Sequence, residues 1–430
     1  MSIRYILQLV GVFFYVMGGS PLLWAQEKEK VKLEYSFKPG DETFYRGEFE
    51  IEVTGGQFPS FACSLPFTIS KKILKVNPDG SAWAYFRMRI LFEKLHLYKG
   101  DRRDLRKIYN FLVSSFLLPE FFSVGILTKS GNPYYAGKLY SETAFTELPP
   151  EPLAPGEKIY RVESFNGNLV KNTWELRDVR INKDGNKIAV FNLLREIDRE
   201  NYGASTESNS SFSCDVEFDM NSSTILSVSA ICKSEVVTRS SSGHEDLNSA
   251  KNRSHSIVKA KYKKVESRNV DDYTRWGEVP DIFLNPGKKW TVGYTAKYRL
   301  NRVFIEYVPK GEDVYNWSEM LTISITPKFS QGVIKPEDIL KNMFTTLRQK
   351  CPEFGYNILE RNSNSVIYEC FFPRKCLEPR FNFSEYDIGR IIVGKERIHV
   401  IIYATKDIPI SPERKEKVVD VLKHIKLSNE

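Results

Sequence analysis

Catalytic signatures are missing from this sequence of 430 residues. No G-x-S-x-G elbow occurs, and the nearest stretch, Thr128-Lys129-Ser130-Gly131, lacks the first glycine. H-E-x-x-H, a Walker loop and G-x-G-x-x-G are absent as well, so the usual marks of zinc proteases, P-loop enzymes and dinucleotide enzymes are gone. CxxC is missing too. The five histidines (His96, His244, His255, His399, His424) stand apart from the cysteines and from one another. No metal centre and no cofactor are therefore expected. After residue 17 nothing approaches 18 consecutive apolar residues, so no transmembrane helix is expected in the mature chain. With 41% hydrophobic and 27% charged residues, wholesale disorder, collagen and coiled coil are excluded.

What is present begins with an address. Arg4 precedes an almost wholly apolar run at residues 5–17, broken by Gly18 to Pro21 and followed by Leu23-Trp24-Ala25. This is the layout of a secretory signal peptide, expected over residues 1–25 with cleavage after Ala25. After that cut no membrane anchor is expected; the alternative is an uncleaved anchor, although the apolar run falls short of the roughly 20 residues that span a bilayer. The charge is unevenly spread. Residues 286–430 carry 24 Lys/Arg against 18 Asp/Glu, whereas residues 26–285 carry 37 against 36. Such a bias on an exported domain points to anionic envelope surfaces, not nucleic acid. The plainer alternative is a solvated basic face without a partner.

Six cysteines in an exported chain point to disulfides. Cys214 and Cys232 flank a hairpin-like stretch turning at Asn221 to Ser223, and mirror placement predicts a bond between them. Cys351 ends a predicted helix, and a bond to Cys376 is expected. That leaves Cys370 inward on a strand, with Cys63 and Cys370 as thiols.

Aromatics are frequent at 13%, which favours strands. Between Lys38-Pro39-Gly40-Asp41 and Asn77-Pro78-Asp79-Gly80, alternating stretches such as TFYRGEFEIEV read as half-buried strands. An amphipathic helix is predicted over about 101–118, with a stripe of Leu105, Ile108, Tyr109, Leu112 and Phe116. Residues 148–158 read as a Pro-rich loop, residues 203–211 and 239–254 as long polar loops, and residues 266–295 as a linker. Beyond it the expected order is β-β-α-β-β-β-β-α. Pro336 suits the first position of one helix, and Ser411-Pro412 caps the other.

Glu306-Tyr307-Val308-Pro309, Asn316-Trp317-Ser318-Glu319-Met320 leading into LTISI, Cys351-Pro352, Ile367-Tyr368-Glu369-Cys370 and the closing HVIIYATKDIPISPERKEKVVDVL carry a resemblance. The C-terminal third resembles the PsbP-like fold, whose relatives include the Ran-binding Mog proteins and small bacterial envelope proteins. That resemblance implies a central antiparallel sheet with helices on its faces and a binding role without a common catalytic set. Tyr35 to Asp41 leading to Tyr45, with Leu148-Pro149-Pro150 to Glu157, resembles exported β-rich envelope domains of the LolA or LolB kind.

The expected fold class is α+β: a β-rich half-barrel or sandwich with one main helix over 26–265, a linker, and a PsbP-like sheet with two helices over 296–430. Trp317 beside Glu319 is the candidate recognition spot, with core packing as the alternative. Asp215, Glu217 and Asp219 alternate on one strand face, which suits a cation or, more plainly, a wet hairpin face. The expected function is that of a non-enzymatic, secreted or periplasmic envelope protein binding a protein partner or an amphiphile. The alternative is a lipid or lipoprotein carrier with an apolar groove in the N-terminal domain.

Overall fold

The computed structural model describes residues 29–55, 60–115, 120–130, 147–165, 168–202, 206–238, 252–270, 276–298, 302–328, 334–376 and 383–428. The expected leader lies outside the described residues. Two antiparallel sheets organise the rest.

The first sheet contains β1 (Glu42–Gly55), β2 (Phe61–Val76), β3 (Ala82–Ile90), β4 (His96–Lys99), β5 (Glu120–Leu127), β6 (Lys158–Phe165), β7 (Asn168–Ile181), β8 (Lys187–Tyr202), β9 (Thr206–Asp219), β10 (Thr224–Thr238) and β11 (Asn252–Val265). Its order is β5-β3-β2-β1-β11-β10-β9-β8-β7-β6, with β4 on β2. Alternation sets the faces. In β1, Phe49, Ile51 and Val53 are buried while Glu48, Glu50 and Glu52 face water. On that wet face Glu48 stands opposite Lys261 and Glu50 opposite Lys259.

The sheet is strongly curled. Tyr35, on the strand-like strap before β1, lies edge-on to Phe218 of β9 at 5.5 Å, and the ammonium of Lys71 on β2 sits 5.7 Å from its ring. Strands β2 and β9 are four places apart in the sheet. One ring reaches both only if the sheet wraps around it. Leu33, Tyr35, Trp174, Phe191 and Phe218 fill the concave side, joined by Ile108 and Leu112 of α1 (Leu105–Ser115). Leu105 and Tyr109 of the predicted stripe stay partly exposed, and Phe116 lies outside the described residues.

The second sheet contains β12 (Trp290–Tyr298), β13 (Arg302–Pro309), β14 (Glu319–Pro327), β15 (Gly355–Arg361), β16 (Ser365–Phe372), β17 (Glu385–Val393) and β18 (Arg397–Thr405), in the order β12-β13-β14-β18-β17-β16-β15. Two helices, α2 (Pro336–Lys350) and α3 (Pro412–His424), both pack on β16 and β17. They do so from opposite faces. Leu340 and Phe344 of α2 meet Val366, Tyr368 and Ile391, while Leu422 of α3 meets Ile367, Ile388 and Ile392. The Ser411 hydroxyl caps α3 by accepting the Arg414 amide at 3.3 Å.

The α+β expectation is overturned, because the described chain is predominantly β. The physical reason is strand length. Strands of 14–16 residues recur in the first sheet and absorb segments that read as loops, including 206–211 in β9 and 252–254 in β11. Residues 290–298, which overlap the expected linker, form β12. Polar residues do not stop a strand whose outer face is wet.

The expected Cys214–Cys232 bond is not formed, and both remain thiols, as do Cys63 and Cys370. The register places Cys214 opposite Ala230 and Cys232 opposite Phe212, so the pair is diagonal, not directly cross-strand. Cys351 and Cys376 are bonded, with Cα atoms 5.4 Å apart.

Between the sheets run residues 276–284. Trp276 and Phe283 pack with Phe44 and Tyr85 from the first sheet and with Val303 and Ile305 from the second. Tyr85 donates to the Trp276 carbonyl at 3.0 Å. Two guanidiniums, Arg87 of β3 and Arg397 of β18, are each 1% exposed and share the carboxylate of Glu120 on β5. Glu278, also 1% exposed, accepts the amides of Lys395, Glu396 and Arg397 at 2.8–2.9 Å. Against the cost of burial, the His399 ring and those amides hold its carboxyl down to about 2. Gly277 has φ +70°, and a Cβ there would lie 2.6 Å from Arg397 Nη2 and 2.9 Å from Arg87 Cζ. Glycine is what lets both guanidiniums reach the junction.

Candidate functional site

The strands of the second sheet place two different side-chain rows on their faces. Val303, Ile305 and Tyr307 of β13 point toward the junction and are fully buried. The intervening Glu306 points to the other face and is half-buried. On that face the register aligns Glu306 with Thr322, Ile402 and Gly389. The neighbouring row holds Met320, Ala404, Asp387 and Cys370. Helix α2 covers the β16–β17 part of this face, and among the described residues no helix covers Glu306, Thr322 and Ile402.

Two carboxyls meet on this face, and Glu306 stands three strands from them. Glu385 and Asp387 are two apart on β17 and therefore share a side. Asp387 is 6% exposed, and its carboxyl is hydrogen-bonded to that of Glu385. Burial, then the charge of Glu385, pushes the Asp387 carboxyl well up. Burial also raises Glu385. Glu306 is pushed up to about 7 by burial and by Glu385. The Cys370 thiol beside them, 4.0 Å from Asp387 Oδ2, is raised by burial and by these acids, so it is not a ready nucleophile.

One cation borders the group. Lys406, just past β18, lies 4.3 Å from the Trp317 ring centre and 4.0 Å from that of Phe383, and the two rings meet edge-on at 5.5 Å. Burial lowers the Lys406 ammonium, opposed by Glu385, Glu312 and Asp313. Trp317 is thus 5% exposed and forms the wall of a cation–π contact. Glu319 points elsewhere: its carboxylate is held by Lys289 at 2.7 Å and Arg414 at 2.8 Å. The two residues expected as one recognition spot therefore part company, each held by its own set of neighbours.

Of the alternating acids of the hairpin, Asp215 and Glu217 are tied into the wet face of the first sheet and Asp219 is buried at the turn. Asp215 pairs with Arg177 at 2.8 Å, Glu217 pairs with Arg180, and Asp219 accepts the Asn221 amide at 2.9 Å. Among the described residues no group of three or more His, Cys, Asp and Glu could hold a metal ion. Glu306, Glu385 and Asp387 were not legible as a set. The one available signal is an acid set into the apolar strand EYDIGRIIV, where Asp387 precedes Ile388, Ile391 and Ile392.

Comparison with known proteins adds little. No family model matches the chain, and no curated protein matches it. Among solved structures, the outer membrane protein OprD from Pseudomonas aeruginosa aligns at TM-score 0.14 and 7% identity, over 86% of this chain and 93% of that one. The outer membrane protein opdK from the same organism aligns at TM-score 0.12 and 7% identity, over 85% and 98%. At such scores the likeness carries no argument about fold, location or function.

Proposed function

We propose that the protein is an exported, non-enzymatic binding protein of the cell envelope, and that its partner docks on the second sheet at the rim beside Trp317. The observation that supports this reading is the Trp317–Phe383 aromatic pair with the Lys406 ammonium laid on both rings, beside the exposed Tyr315. Export rests on the leader-like start of the sequence. The loop carrying Tyr315, which is 80% exposed, gives the rim an accessible aromatic next to Trp317.

A second reading, the acyl carrier, draws on the concave side of the first sheet. That space is filled by Leu33 and Tyr35 of the strap, held by Val31 pairing with Leu153 and by the Tyr35 amide on Lys129 O at 2.8 Å. Carrying a lipid requires the strap to leave.

A photo-crosslinking residue at Tyr315, compared with one at Ile181 on the first sheet, tests the main reading in cells exporting the full chain. Mass spectrometry of the envelope fraction should find a partner adduct from position 315 and none from 181. Adducts from neither position, or from 181 alone, overturn it.

A further inference from the structure

Each sheet ends in two terminal strands, and the four ends are treated differently. At one end of each, β5 and β12 meet: the Thr295 hydroxyl of β12 donates to the Val124 carbonyl of β5 at 3.2 Å. At the far end of the second sheet, β15 is guarded. It carries a bulge, where the register shifts between Ile358 and Glu360. Glu360 is tied to Lys423 of α3 at 2.5 Å, and among the described residues no large apolar side chain of β15 is exposed. Bulges and charges of this kind blunt an edge against further pairing.

The far end of the first sheet, β6, has no such guard. Its ladder with β7 runs from Lys158 opposite Glu175 to Phe165 opposite Asn168 without a shift. Among the described residues no strand pairs with its other side. Tyr160 and Val162 lie on one side of the strand, 73% and 56% exposed. A straight edge bearing exposed apolar side chains is a template for one more strand.

The sequence of β6 shows which strand fits. A second copy adds as an antiparallel strand about a two-fold axis normal to the sheet. Side chains alternate between faces, so one residue must then stand opposite itself on the axis. Arg161 or Glu163 on the axis would bring like charges together, which opposes pairing. Tyr160 on the axis would set Ile159 against Arg161. Val162 on the axis sets Arg161 opposite Glu163 on both sides of it, Tyr160 opposite Ser164 and Ile159 opposite Phe165. In that register opposite charges face each other and apolar residues face each other. The strand is complementary to itself.

We infer that the protein self-associates through β6, two copies joining their first sheets across an antiparallel β6–β6 ladder centred on Val162. The rim beside Trp317 belongs to the second sheet, so this inference stands apart from the docking reading. The contact is short, at eight residues a side. Small interfaces of this kind hold weakly, with a dissociation constant on the order of 10 µM.

Sedimentation of the purified chain from about 1 to about 200 µM tests this, with a reversible monomer–dimer equilibrium expected. Arg161→Glu sets like charges across the axis twice and should weaken the dimer about tenfold or more. Adding Glu163→Arg to Arg161→Glu reverses both charges and should restore the affinity to within about threefold of wild type. Val162→Lys puts two ammoniums together on the axis and should abolish the dimer. All three positions lie on an edge strand, and melting curves show whether each variant is folded. A chain that stays monomeric up to about 200 µM leaves the edge to a strand of some other protein and overturns the inference. So does a dimer that Arg161→Glu and Val162→Lys leave unchanged, or a charge swap that melts like wild type and fails to restore the dimer.

Discussion

At the junction of the two sheets, Glu120 and Glu278 are buried among guanidiniums and backbone amides, and both carboxyls are held below the usual range. On the opposite face of the second sheet, Glu385 and Asp387 share a hydrogen bond, Glu306 stands three strands away, and all three are raised. The residue types are the same, and in both places burial opposes the charge. What differs is the sign of the surroundings. A buried acid with donors in place holds parts together; a buried acid without them stores a demand for positive charge. The first arrangement ties the two sheets to each other; the second lies on one sheet alone.

The comparison breaks most severely at Glu120. Glu120→Gln leaves Arg87 and Arg397 buried without their shared charge, and a loss of about 3–5 kcal/mol is expected. Denaturant unfolding checks it; a loss below about 1 kcal/mol would show that solvent reaches the pair and that the junction is not sealed. Gly277→Ala is the next largest. Its positive φ and the 2.6 Å approach to Arg397 Nη2 should cost about 1–3 kcal/mol. Here an unchanged melting temperature would count against close packing at the junction.

The pH dependence of stability sharpens the contrast. Glu278, held down to about 2, stabilises the fold above the ordinary carboxylate pKa, and that stability is lost as pH falls toward 2. Glu306 works in the other direction. Its folded pKa of about 7 lies above the unfolded value, so the folded state binds more protons between about 4.5 and 7 and stability falls as pH rises through that window. Glu306→Gln should make the fall shallower, the raised Glu385 and Asp387 keeping the rest, without touching the acid limb. A wild-type profile flat from about pH 5 to about pH 7 would remove the claim that Glu306 is buried near like charge. The smallest effect is expected on the wet face of the first sheet. Lys259→Ala breaks an exposed pair with Glu50 at 3.4 Å and should cost under about 0.5 kcal/mol, measured by the same denaturant unfolding.

Much of the local structure was legible and little of the site. Alternation in TFYRGEFEIEV alone places Phe49, Ile51 and Val53 inward, and Ser411-Pro412 announces α3. The fold class was misread because polar stretches such as Thr206 to Ser211 continue a strand instead of ending it. Glu278 looked like one more charge in a polar linker, yet the turn between β17 and β18, more than a hundred residues on, closes around it. Asp387 likewise comes opposite Cys370 on one side and Ala404 on the other only through the pairing of β17 with β16 and β18. Spacing along a chain carries no trace of such neighbours.

The pairing of β1 with β11 has a consequence for how the molecule comes into being. Glu50 and Lys259 stand side by side in that ladder while lying 209 positions apart in the chain. Closing so long a loop is entropically slow, and sheets dominated by such remote pairings fold slowly. A chain emerging from its N-terminus offers β1 long before β11 exists, so the middle of the first sheet is the last part of that sheet that can form. Under the proposed export that delay is useful: the chain stays threadable through a narrow passage until well over half of it has crossed.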